Sequence, residues 1–379
     1  MTDTNNLFFE LIRVAIGNAV CLSHTPSADE WGELYAMAKK QSLVGVCFSG
    51  VQKLQKQRQC PPEMLYLRWM GMAAKIQQRN EVVNRQCVDV QKMLAADGFK
   101  TSILKGQGIA TLYCEQLRGL RQSGDIDVWV QGGMDTLLPY CRKKYGTIEY
   151  DYINAHVPVF DDTEVELHWR VHSLPNLFAN KQLQKWFCKQ EKQLLEGKAI
   201  LLNSGSIVVP NNEFNAFFIL LHCYHHMFES GLGLRQLMDY YFVLIAYANE
   251  KTSTKLSTSS RELSVKFSVN ALLKEFGMMR FAKGSMWIMH EVFGLEREYM
   301  LCEPNEKEGR FLLKEIMQNG NFRHHDVRKH GVKNKWIEPF ITRLQHNWHL
   351  VTHYPSEFLW APVWLVWHYV WKRNLKLNN

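Results

Sequence analysis

Between Lys100 and Pro210 the apolar residues stop recurring at every third and fourth position and form short runs bounded by turn residues. On either side the helical spacing holds, from Leu7 to Met93 and again from Asn212 onward. A period of 3.6 buries one stripe of a helix and a period near 2 buries one face of a strand. The chain is therefore expected to be α+β: a small mixed-sheet domain over residues 99–210, a helical region over 1–98 before it, and a second helical region over 211–379 after it.

The local signals are specific. Ser27 and Glu30 have the spacing of a capping box ahead of Trp31, Leu34 and Tyr35, and Pro61 and Pro62 open a helical stretch toward Leu94. Strands are expected at Thr101–Leu104, Asp127–Val130, Val157–Phe160 and Glu164–Trp169, with helices at Gln107–Leu117 and Met134–Lys144. AILL and IVV around Asn203-Ser204-Gly205 read as a hairpin. Further helices are expected at Phe217–Phe228, Leu234–Tyr247, Phe267–Phe276 and Trp287–Phe293, and the Ser/Thr-rich stretch 251–260 is expected to be a mobile loop.

Forty-five Lys and Arg against 37 Asp and Glu leave a charge of +8, which favours phosphates, nucleotides or anionic surfaces as partners. Nine cysteines, an odd number with no CxxC pair, point to reduced thiols in a cytoplasm. The N-terminal segment MTDTNNLFFELIRVAIG has an acid where a signal peptide has basic residues. The longest apolar run, Phe358 to Trp371, is 14 residues, short of the roughly 20 that cross a bilayer. No transmembrane segment is expected.

The sharpest chemical signal is GDIDVWV, where Asp125 and Asp127 stand two apart at the start of an apolar strand and so share a face. One strand pairing suffices to bring Glu166, from EVELHWR, beside them. Like charges at about 4 Å repel by roughly 1 kcal/mol in water and roughly 4 at an effective dielectric of 20, so three converging carboxylates call for a cation. Hard Mg²⁺ or Mn²⁺ suits carboxylate oxygens and also takes phosphate oxygens. The same acid-x-acid spacing recurs at Glu149 and Asp151, Glu296 and Glu298, and Glu306 and Glu308, so the pair taken alone reads as solvated strand-end acids.

The stretch LKGQGIATLYCEQLRGLRQSGDIDVWV, followed by VELHWR and LLHCYHHMFESGLGLRQLMDYY, resembles the bacterial uncharacterised nucleotidyltransferase family, a branch of the DNA polymerase beta-like nucleotidyltransferase superfamily. The resemblance covers roughly Lys100 to Tyr241. It implies a metal-dependent enzyme that transfers NMP from an NTP to an acceptor hydroxyl and releases pyrophosphate. It also implies that Asp125, Asp127 and Glu166 are the catalytic and metal-binding acids. Gly106 would match the turn that meets the triphosphate, with Lys105, Arg121 and Gly124 on the nucleotide side. The match departs from the superfamily's usual Gly-Ser signature: Gly106 is followed by Gln107 and precedes Asp125 by 19 residues. His222, His226, Arg235 and Asp239 would line the cleft from the helical side, toward base or acceptor; helix-packing histidines and a structural Arg to Asp contact are the alternative reading. The acceptor is left open among small molecule, sugar, RNA and protein side chain.

Other patterns fit less well. His222 and His226 lack the acid of HExxH, because Cys223 stands there, and Gly106-x-Gly108 lacks the third glycine of a dinucleotide turn, because Thr111 does. The basic stretch 323–335 fits a polyanion or a solvated loop. Trp360, Trp364, Trp367 and Trp371 form one aromatic helix face, for packing or, less simply, interfacial membrane contact. A catalytically silent nucleotide-binding or scaffold protein and an RNA-binding helical protein are the alternatives to an enzyme.

Overall fold

A computed structural model describes residues 3–195, 197–256, 268–321 and 350–377. The basic stretch 323–335 lies outside the described residues.

Four helices precede the sheet: α1 (Asp3–Ile16), α2 (Ala28–Lys40), α3 (Val44–Leu54) and α4 (Glu63–Ala96). Ser27 caps α2 as its spacing predicts. Its hydroxyl accepts from the Glu30 amide, and the Glu30 carboxylate accepts from the Ser27 amide at 2.8 Å. The 34-residue α4 follows Pro62 and serves two cores, because Trp69 and Ala73 join the helical core while Val83, Val88 and Leu94 pack under the sheet.

The sheet has five strands in the order β1-β2-β5-β4-β3, comprising β1 (Thr101–Leu104), β2 (Ile126–Val130), β3 (Glu149–Tyr150), β4 (Asn154–Val157) and β5 (Val165–His168). Only β2 and β5 run parallel, which makes the sheet mixed. β1 and β2 are buried along their whole length, although Thr101 and Ser102 stand in the first and Asp127 in the second. The hairpin of β6 (Lys198–Leu202) and β7 (Gly205–Val209) turns through Asn203-Ser204 as expected.

Between Lys100 and Pro210 three local expectations are corrected. The helix expected over Gln107–Leu117 is broken into α5 (Gly106–Ala110) and α6 (Glu115–Arg118). Tyr113, between them, is pulled inward: its ring packs 4.1 Å from that of Phe242 and its hydroxyl donates to Asp239 at 2.7 Å. The strand expected at Val157–Phe160 is β4 and ends where that expectation began, because Pro158 has no N–H to give the ladder. A 19-residue helix, α8 (Leu177–Leu195), stands inside the segment read as sheet; α7 (Gly133–Tyr145) lies where a helix was expected.

After the hairpin come α9 (Asn212–Phe228), α10 (Leu234–Leu256), α11 (Val269–Glu275), α12 (Met279–Phe293) and α13 (Glu306–Asn319). Residues 251–256, expected in a loop, continue α10, and the rest of that stretch lies outside the described residues. The first and last helical regions share one apolar core, in which Phe8 and Trp31 join Phe217 and Phe281. A C-terminal helix, Pro355–Leu377, sets its tryptophan face on the sheet side, with Trp364, Trp367 and Trp371 all edge-on to Tyr152 at 5.2–5.4 Å between ring centroids. Among the described residues no helix is long and apolar enough to cross a membrane.

Candidate active site

The polar centre of the molecule is built by strand register. In the parallel pair β2–β5, Asp127 stands directly opposite Glu166; in the antiparallel pair β1–β2 it stands opposite Leu104, the last residue before Lys105. On the other side of β5, His156 of β4 faces Glu166 and Asn154 faces His168. Side chains at such positions share one face of the sheet, so Asp127, Glu166 and His168 converge. One ligand atom from each lies within 4.8 Å of the others.

The turn after β1 aims the first cation. Lys105 adopts φ +48° and Gly106 φ +44°, a conformation that a lysine adopts at a cost of roughly 1–3 kcal/mol and a glycine freely. The result is an ion pair between Lys105 Nζ and Asp127 Oδ1 at 2.8 Å, with the carboxylate 2% exposed. Burial alone would lower the Lys105 pKa, but Asp127, Asp125 and Glu166 reverse this and hold it above its ordinary value.

His168 is the second cation. Its Nε2–H donates to Asp127 Oδ1 at 2.9 Å and to Glu166 Oε2 at 3.1 Å, while Nδ1–H donates to the Arg170 carbonyl at 3.3 Å. Both nitrogens face acceptors, which requires the doubly protonated ring. Burial opposes that charge, yet the two carboxylates outweigh it and push the imidazole up to about 9. Burial likewise disfavours the Glu166 charge, and His168 and Lys105 overcome it, drawing the carboxyl down to about 2. Glu166 also accepts a hydrogen bond from the Asn154 amide.

These pairings set the pH dependence of the metal-free protein. The His168 pKa is raised above its unfolded value near 6.5, so its contribution is fully present below pH 6.5 and is lost as pH rises through 9. Unfolding in the presence of EDTA should reveal a stability loss on the order of 3 kcal/mol across that interval, at 1.36 kcal/mol per unit. In His168→Gln the slope should flatten, and an unchanged slope would contradict the assignment. The Glu166 pKa is depressed, so its contribution is present above pH 4.5 and disappears toward pH 2.

The acids and cations open onto a cavity of about 300 Å³. Lys105, Gly106, Gly124, Asp125, Asp127 and Glu166 line its sheet side. Asp125 lies at the mouth, exposed, outside the close group formed by Asp127, Glu166 and His168, although it acts on Lys105 and Glu166 through its charge. The convergence expected for three acids is thus tight for two of them, with His168 in the third place. His168 follows Glu166 by two residues on the same strand face, a spacing that could have revealed it.

Helices α9 and α10 supply the opposite wall, where His222, His226, Arg235 and Asp239 line the same cavity. His222 and His226 share a hydrogen bond between their Nε2 atoms at 2.9 Å, and burial holds both rings well below the ordinary histidine range. His172, absent from the sequence expectations, is buried beside them; its Nδ1 accepts from the Ser173 amide, and its Nε2 has no partner among the described residues. Burial lowers the Arg235 pKa, with the neighbouring Arg121 adding to the shift, and Arg235 Nη1 donates to the Gln122 carbonyl at 3.1 Å.

Arg121, expected to meet phosphate oxygens, also lines the cavity but is engaged elsewhere. Its Nε and Nη2 each donate to Asp239 at 2.7 Å, and it is 3% exposed. The guanidinium ties the loop before β2 to α10, so it acts on the geometry of the Asp125–Asp127 segment through position.

The donor set fits a divalent cation. Asp127 and Glu166 supply hard oxygens and His168 a nitrogen within one small group, and Lys105 and His168 already hold positive charge against the same carboxylates. The ring coordinates only after losing its proton.

A mixed five-stranded sheet with acids aligned on its central strands, closed by helices over a polar cavity, defines an α+β protein. The chain belongs to the family described as uncharacterised nucleotidyltransferase, whose profile matches residues 27–278. Membership supports a general nucleotidyltransfer role. Among solved structures, an antigenic nucleotidyltransferase-like protein from Paracoccidioides brasiliensis is similar at 12% identity and a TM-score of 0.30, over 59% of this chain and 98% of that one. No curated protein sequence matches significantly.

Proposed function

We propose that the chain is a metal-dependent nucleotidyltransferase of the DNA polymerase beta-like superfamily, transferring NMP from an NTP such as ATP to an acceptor hydroxyl. The bond between the acceptor oxygen and the α-phosphorus forms, the α–β phosphoanhydride bond breaks, pyrophosphate leaves and the hydroxyl proton is released to solvent. The observation that carries this reading is the register of Asp127 opposite Glu166 at the floor of a polar cavity, beside the strained Lys105-Gly106 turn.

Asp127 and Glu166, with His168 beside them and Asp125 at the mouth, would hold Mg²⁺ or Mn²⁺. When bound, the ion neutralises triphosphate charge and acidifies the attacking hydroxyl. Lys105 moves its ammonium from Asp127 to phosphate oxygens, and Gly106, lacking a side chain, lets them approach the turn. Gly124 leaves the mouth open beside Asp125, with no atom within 4 Å of where a Cβ would stand. Arg121, through Asp239, keeps this loop in place, while His222, His226 and Arg235 face the base or acceptor. Catalysis of this kind is mainly positioning and charge stabilisation. Nine free cysteines, four of them buried, agree with a reducing, cytoplasmic setting.

Isothermal titration with Mg-NTP tests the reading. The wild type should bind and Asp125→Asn should bind at least tenfold weaker, the scale of one lost charge contact at roughly 1.4 kcal/mol per decade. Equal binding in both proteins, or none in the wild type, overturns it. One observation favours a second reading, a silent nucleotide-binding protein: Lys105 and His168 neutralise Asp127 and Glu166 without any ion. Radiolabelled NTP retained without pyrophosphate release would decide for that one.

A further inference from the structure

A second cavity, of about 580 Å³, lies on the other side of the Asp151–Ile153 segment from the first. Asp151 and Ile153 face the polar cavity, whereas Tyr152 lines the second. One wall of this second cavity is the outer face of α8, where Lys181, Lys185 and Lys189 recur at four-residue steps, about 6 Å apart along the helix. All three are exposed, and none is in an ion pair among the described residues. Arg170 adds a fourth positive charge, held over the Tyr152 ring at 4.2 Å. Half-buried Trp367 from the C-terminal helix, whose ring also packs against Tyr152, Trp364 and Trp371, lines the groove as well. Among the described residues no carboxylate lines the groove.

We propose that this groove binds single-stranded nucleic acid. A row of cations at one-turn spacing tracks consecutive phosphates, and an aromatic ring in the same groove gives a base a surface to stack on; together these are the two elements of sequence-tolerant single-strand binding. The row of lysines extends along the helix, which suits an unpaired strand over a duplex. Three lysines and an arginine thus converge on one groove of a chain whose net charge is +8. Use of the bound strand as an acceptor rests on the proposed nucleotidyl transfer; the binding itself does not.

Fluorescence anisotropy of the full chain, without NTP, with a labelled RNA of about 12 nucleotides, its DNA counterpart and the duplex, tests the groove at about 50 mM salt. The wild type should bind the single strands at least tenfold tighter than the duplex. The triple variant Lys181→Ala, Lys185→Ala, Lys189→Ala should lose at least tenfold in affinity, and its slope of log K against log salt should fall by about 2, at roughly 0.7 per phosphate contact. Trp367→Ala should weaken binding between about 5- and 100-fold while leaving the salt slope intact. Asp127→Asn should bind as the wild type does, which separates the groove from the proposed chemistry. Binding by the triple variant equal to wild type, no binding by the wild type, or lysine-dependent binding of phosphatidylserine vesicles in place of RNA each overturns the proposal.

Discussion

Asp127→Asn is expected to lower pyrophosphate release at least a thousandfold, with the protein still folded. Asp127 is the residue on which the centre turns: it accepts from Lys105 at 2.8 Å and from His168 at 2.9 Å, and it aligns with Glu166 across the only parallel pair of the five-stranded sheet. Asparagine keeps the shape but removes the charge that any divalent ion must meet, and it leaves half-buried Lys105 and buried His168 competing for Glu166. Losing one preorganised electrostatic contact costs about 10²–10³ in turnover, and here the same change also removes a ligand. Single-turnover release of pyrophosphate is the measurement, with circular dichroism as the folding check. Glu306→Gln, at an exposed acid with the same acid-x-acid spacing, should leave the rate unchanged. Undiminished turnover in Asp127→Asn would remove the basis for the proposed enzyme.

The largest stability effect is expected at Asp239. It is 6% exposed and accepts three hydrogen bonds, two from Arg121 and one from Tyr113. Asp239→Ala leaves a buried guanidinium without its partner, a loss of roughly 3–5 kcal/mol. The melting temperature should fall by roughly 5–10 °C. The double variant Arg121→Met, Asp239→Leu should regain much of that stability, because apolar residues of similar volume replace a buried pair at little net cost. Turnover should stay low in the double variant, since the loop before β2 would no longer be held to α10. A melting temperature unchanged in Asp239→Ala would show that the pair is not what anchors the loop.

The contrast between Asp127 and Arg121 marks how far the sequence could be read. Asp127 and Glu166 were legible because each sits in an apolar strand whose burial fixes the facing of its side chains, so an acid on such a strand stands out. His168, two residues beyond Glu166 on the same strand face, was legible by its spacing, but its pairing with Asp127 on the neighbouring strand was not. Arg121 and Asp239 are 118 residues apart. Nothing local announces that a guanidinium beside the Asp pair is taken by a helix from the opposite wall. The break after Ala110 has the same origin, since Tyr113 leaves the helical course to reach Asp239 and Phe242.

Periodicity, caps and prolines determined the kinds of element and most of their places: the capping box at Ser27, the long helix after Pro62, the β1 and β2 runs and the β6–β7 hairpin. These are set by bonds and contacts among residues close along the chain, and their signals are written there. Tertiary structure alone decided that β2 pairs in parallel with β5, that His168 completes the group with Asp127 and Glu166, and that Arg121 is held by Asp239. Those choices come from burying charged groups where each must find a partner, and the partner is chosen by packing across the whole molecule.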